Sequence, residues 1–72
     1  MAETVDARGL SCPQPILETL NMIAKVGTGV IEVLLDSEAS EENVTRAAKH
    51  HGWSVDSITD EGDYHKMTIS KS

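Results

Sequence analysis

The chain has 72 residues, 39% of them apolar, with 12 acidic side chains against 6 basic ones and a formal net charge of -6. A chain this short buries only about 60% of the surface its unfolded form exposes, which limits it to one domain and disfavours a large internal cofactor cavity. Six cations scattered from Arg8 to Lys71 argue against a direct nucleic-acid grip, and no apolar run approaches the roughly 18 residues of a membrane span. Met1, Ala2, Glu3 and Thr4 are neither basic nor followed by an apolar signal core, so the expectation is a cytoplasmic protein with no membrane partner.

Residues 4–7 read as a short first strand, stopped by the Arg8-Gly9 turn. Leu10 to Pro15 make the approach to a helix. From Ile16 the period changes, because Ile16, Leu17, Leu20, Ile23 and Ala24 fall on one helical stripe that closes near Val26 and Gly27. Gly29 opens residues 30–35, a β-branched apolar run with the length of a buried central strand, ended by Asp36 and Ser37. Ser40 is the expected N-cap of a second helix, with Glu41 and Glu42 in a first turn where negative charge suits the dipole. Val44, Ala47 and Ala48 supply its apolar stripe, and Gly52 its left-handed stop. Residues 53–58 form a third strand whose alternation slips at Ser57-Ile58, predicting a bulge there. Asp60, Glu61, Gly62 and Asp63 carry hairpin-turn chemistry, and residues 64–70 alternate as a fourth strand with His65, Met67 and Ile69 on one face.

The order β-α-β-α-β-β in one domain spanning residues 1–72 predicts an α/β two-layer sandwich. Each helix has one apolar stripe, and right-handed crossovers put both on the same face of a four-stranded mixed sheet.

Cys12 is the sole cysteine, which excludes an internal disulfide, a two-cysteine redox pair and a multi-cysteine zinc knuckle. It precedes Pro13, so extended geometry suits it and it can cap a helix whose first residue is Pro13. Alternatively the regular helix starts at Pro15 with Gln14 as cap, leaving Cys12 one step outside the same positive end. A helix N-terminus carries about half a positive charge, and thiols placed there have pKa values lowered from about 8.5 to roughly 3.5–7.5. No acidic residue lies between Ala7 and Leu17, while Arg8 lies four positions before the sulfur. The competing reading makes Cys12 a small core filler, which suits a Pro-flanked loop poorly.

Asp6, Gly9, Cys12, Pro13 and Pro15, within the stretch Asp6-Ala7-Arg8-Gly9-Leu10-Ser11-Cys12-Pro13-Gln14-Pro15, strongly resemble the signature of the TusA/SirA-like sulfur-carrier family, whose hallmark is Cys-Pro-x-Pro opening the first helix. The similarity continues through Ile16-Leu17, residues 29–33 and the connection at Gly52, covering essentially the whole chain. The resemblance implies a β-α-β-α-β-β fold and a sulfurtransferase that acts as a persulfide-carrying protein. Cys12 would accept a sulfane sulfur from a cysteine desulfurase or rhodanese-type donor and relay it to an acceptor protein, as in tRNA thiolation, cofactor assembly or sulfur oxidation; some relatives serve selenium metabolism. By matching position Pro13, Gln14 and Pro15 shape the motif, and Asp6, Arg8 and Gly9 form the wall and turn that present the sulfur. No cofactor and no metal is implied, and a monomer is expected, although an edge strand of so small a sheet could pair with another copy.

Arg8 could steer an anionic persulfide or be an ordinary surface charge. His50 and His51, adjacent on a helix, point in different directions, so dipole capping suits them better than a shared metal. His65 is expected part-buried at the sheet-helix interface rather than as a base, and Trp53 as a core or protein-contact residue. Two other functions compete with the carrier. One is a non-catalytic binding or regulatory module using the Pro-framed turn as a contact surface; the other is a soft-metal chaperone, for which a single thiol far in sequence from most Met residues is a poor donor set.

Overall fold

The computed structural model describes residues 3–10 and 14–72. Six elements follow one another: β1 (Glu3–Asp6), α1 (Gln14–Val26), β2 (Gly29–Leu35), α2 (Glu38–His50), β3 (Ser54–Asp60) and β4 (His65–Lys71). The sheet order is β1-β2-β4-β3. β1 runs parallel to β2, whereas β4 runs antiparallel to both β2 and β3. β4 therefore enters between two parallel strands that α2 connects, which makes the sheet mixed.

Register explains the core. Val5 lies opposite Val33, which lies opposite Met67, and Ile31 lies opposite Ile69, so these side chains share one face of the sheet. All five are buried, together with Leu35, Val44, Ala48 and Trp53. Both helices pack on this face and against each other. The opposite row, including Val30, Glu32, Lys66 and Thr68, is exposed or half-exposed. This is the expected two-layer sandwich. β2 is central, but it is covered on one face only, because two helices suffice for one layer and no third helix is present among the described residues to cover the other.

Several local expectations shift. α1 buries Pro15, Thr19 and Ile23, flanked by half-buried Ile16, Leu20, Met22 and Val26, while Leu17 and Ala24 are exposed. A polar residue can hold the buried stripe because the Thr19 hydroxyl donates to the Pro15 carbonyl at 2.9 Å, satisfying its own polarity locally. The N-cap of α2 is Ser37, not Ser40: Ser37 is extended (φ -146, ψ 149) and its Oγ accepts from the Ser40 N–H at 3.1 Å. Ser40 sits inside the first turn, buried, with the Ser37 hydroxyl donating to its Oγ at 2.9 Å. Gly52 takes the left-handed φ of +82 that stops α2, as the sequence predicts. The bulge in β3 falls between Val55 and Ser57 rather than at Ser57-Ile58, and the strand continues to Asp60. Trp53 lies just before β3 and belongs to the core. No described helix is long and apolar enough to cross a membrane.

Candidate functional site

Ser11, Cys12 and Pro13 lie outside the described residues, and with them the capping of α1 by Cys12. The chain on both sides of the thiol is described. Downstream, α1 already contains Gln14, so the start at Pro15 with Gln14 as cap is set aside. Pro15 is buried and its carbonyl accepts from Thr19, which seats the first turn against the core. That turn contains no acidic side chain. The positive end of α1 is therefore not answered by a carboxylate from its own sequence.

Upstream, the approach to Cys12 is tied down residue by residue. The Ala7 N–H donates to the Leu34 carbonyl at 2.9 Å, carrying the β1 ladder one step beyond the strand. Arg8 grips Asp6 twice: its Nε donates to Oδ1 and its terminal nitrogen to Oδ2, both at 2.9 Å, and the Arg8 backbone N–H adds a third bond at 3.2 Å. These bonds, the side-chain pair first and the backbone N–H second, hold the Asp6 pKa down to about 2. The Arg8 pKa is raised in return by the Asp6 side chain. On its other side the guanidinium carbon lies 4.8 Å from the centre of the Tyr64 ring. Gly9 takes φ +76, and its N–H donates to Asp36 Oδ2 at 2.6 Å.

Of the residues expected as wall and turn, Asp6 and Arg8 are bonded to each other, and Gly9 is held separately by Asp36. Arg8 is committed to Asp6 and Tyr64, which gives the residue a structural tie where the sequence offered either a steering charge or a solvated one. The stretch that carries no carboxylate in sequence acquires one in space, because Asp36 reaches Gly9 from the end of β2. Sequence reasoning missed Asp36 and Tyr64. Asp36 had one usable signal, since in the parallel β1-β2 pair Asp6 lies opposite Leu34, and two residues further on the same register brings Asp36 to the Arg8-Gly9 turn; Tyr64 had none.

Beyond the loop, Leu10 and Leu17 are exposed at 37% and 46% and flank the thiol in sequence. His65 is half-buried at the sheet-helix interface, with Nδ1 2.6 Å from Glu41 Oε2. His50 and His51 end α2 as a T-shaped ring pair with centres 5.5 Å apart, and the His51 N–H closes the helix on Ala47 and Ala48.

Residues 3–71 match the family described as Sulfurtransferase TusA. The chain belongs to the TusA family. It is 34% identical over 68 residues to a candidate sulfur carrier protein of Archaeoglobus fulgidus, covering 93% of each chain. A candidate sulfur carrier of Bacillus subtilis is 33% identical over 70 residues, covering 96% of this chain and 93% of the other. The crystal structure of a SirA-like protein from Desulfitobacterium hafniense superposes with a TM-score of 0.88 at 28% identity, covering 100% of this chain and 99% of that one. The family's β-α-β-α-β-β sandwich and the sheet described above agree.

Proposed function

We propose that this TusA-family chain is a sulfur carrier that holds a sulfane sulfur on Cys12. The observation that carries the reading is the family match over residues 3–71, which contains Cys12, Pro13, Gln14 and Pro15 immediately before and within the start of α1. The chemistry is one exchange run twice. The Cys12 thiolate attacks the outer sulfur of a donor persulfide; the donor's S–S bond breaks, the donor leaves as a thiolate, and Cys12 becomes Cys-S-SH. An acceptor cysteine then attacks that outer sulfur and releases Cys12 as a thiolate. One sulfur atom moves at each step with no net oxidation, so no cofactor takes part.

The positive end of α1, whose own first turn carries no acidic side chain, favours the thiolate and the persulfide anion alike. The donor is a cysteine desulfurase or rhodanese-type protein, and the acceptor a protein that feeds tRNA thiolation, cofactor assembly or another branch of sulfur metabolism. A reducing cytoplasm would keep the single thiol free between loads. Pro13, Gln14 and Pro15 shape the motif, and Leu10 and Leu17, exposed on either side of it in sequence, offer an apolar contact to either partner.

The test is mass spectrometry after incubation with a cysteine desulfurase and cysteine. The expected result is a gain of one reducible sulfur by the wild type and none by Cys12→Ser. A wild type that gains nothing from competent donors, or a Cys12→Ser variant that gains as much, overturns the reading and leaves the binding module in its place.

A further inference from the structure

We infer that Asp36 and Tyr64 are positioning residues for the sulfur-bearing loop, holding it from two separate turns far away in sequence. The purpose assigned to them rests on the carrier reading above. The observation is geometric: the loop after β1 is fastened at two consecutive residues by groups outside itself, Arg8 by the Tyr64 ring face and Gly9 by the Asp36 carboxylate.

Both fasteners stand on rigid ground. Asp36 directly follows β2 and directly precedes Ser37, the N-cap of α2. Tyr64 closes the β3-β4 hairpin, where the Glu61 N–H donates to the Tyr64 carbonyl and the Gly62 N–H to Asp60 Oδ1, both at 2.9 Å. The two turns meet across a depression of about 160 Å³ lined by Asp36, Ser37, Tyr64 and His65 among others. Cys12 follows Gly9 by three residues in sequence.

The same contacts do little for global stability. The Asp6-Arg8 pair is about half exposed, and exposed ion pairs and exposed cation-ring contacts each contribute little. Their effect is local: Tyr64 covers one face of a guanidinium that Asp6 has already oriented in its plane, and Asp36 holds Gly9 in its left-handed turn. Sulfur exchange between two proteins needs in-line approach of three sulfur atoms, which a swinging loop offers only a fraction of the time.

The experiment compares Tyr64→Leu with Tyr64→Phe, and Asp36→Ala with Asp36→Asn, by two readouts. The first is the rate of sulfur uptake from a cysteine desulfurase. The second is the pH profile of iodoacetamide alkylation, which reads Cys12 alone because the chain has one cysteine. Tyr64→Leu and Asp36→Ala are expected to slow uptake about three- to tenfold and to move the alkylation midpoint relative to their conservative partners, with the thermal midpoint little changed. Tyr64→Phe keeps the ring and Asp36→Asn keeps an acceptor oxygen, so both restore most of the rate. Because Asp36→Ala and Asp36→Asn lose the same charge, the difference between them isolates the bond to Gly9. Unchanged uptake and unchanged alkylation profiles in folded Tyr64→Leu and Asp36→Ala overturn the inference; should Tyr64→Leu unfold, the Asp36 pair decides. A wild type that takes up no sulfur overturns the carrier reading instead, and the alkylation profiles still judge the loop.

Discussion

Nδ1 of His65 lies 2.6 Å from Oε2 of Glu41, a half-buried ion pair that ties β4 to α2 across 24 residues. The Glu41 hydrogen bond raises the His65 pKa above its ordinary value of 6.5, with Asp60 and Glu38 adding to the effect and burial opposing it. A histidine whose pKa is raised on folding stabilises the protein fully below its unfolded pKa, and that contribution is lost as pH rises through the folded value. The thermal midpoint should therefore be higher at pH 6 than at pH 8. The contribution of this pair is isolated by difference. Calorimetry on Glu41→Gln should show a shallower decline over that window than the wild type, and an identical decline would mean the pair is not formed in solution.

Asp6 works in the opposite direction on the acid side. Its carboxylate is held at about 2 by Arg8, below the ordinary 3.8. A depressed carboxylate stabilises the fold above its unfolded pKa, and that contribution fades as pH falls from about 4 through the folded value. Carbon-detected NMR titration of the Asp6 carboxyl should give a midpoint near 2 in the wild type. Arg8→Gln should move the midpoint most of the way back to 3.8, leaving only the share that the backbone N–H of residue 8 supplies. A wild-type midpoint near 3.8 would show that the double grip seen between these side chains is not held in water.

What the sequence made legible is what local rules govern. The β-branched run of β2, the acidic turn before β4 and the glycine after α2 each act through their own backbone preferences, and each element formed where those preferences pointed. Thr19 escaped because hydropathy counts it as polar, while a bond to the Pro15 carbonyl removes that polarity at no cost to burial. Leu17 took its place in the expected stripe and is exposed instead. The loop's anchors escaped for a different reason. Asp36 and Tyr64 lie 27 and 56 residues from Gly9 and Arg8, respectively, and only the β1-β2-β4 strand order brings them together. The motif around Cys12 was legible as a pattern of residues, and the placement of its central three lies outside the described structure.

The start of α2 offers a sharper contest between two serines three residues apart. Ser37 has the extended backbone of a cap, and its oxygen serves the Ser40 N–H, one of the donors a helix start leaves unpaired. Replacing a capping serine by alanine costs about 1 kcal/mol, so Ser37→Ala should lower the thermal midpoint by roughly 4–8 °C in a domain of this size. Ser40 contributes only a hydroxyl that accepts from Ser37 within the first turn. Alanine is the better helix former, and Ser40→Ala leaves the Ser37 oxygen still accepting from the residue 40 N–H, so its thermal midpoint should stay close to that of the wild type. Thermal denaturation of the two variants side by side decides the matter. Equal losses would mean that the two hydroxyls act as one unit, and a larger loss at Ser40 would return the cap to the position that the acidic residues after it suggest.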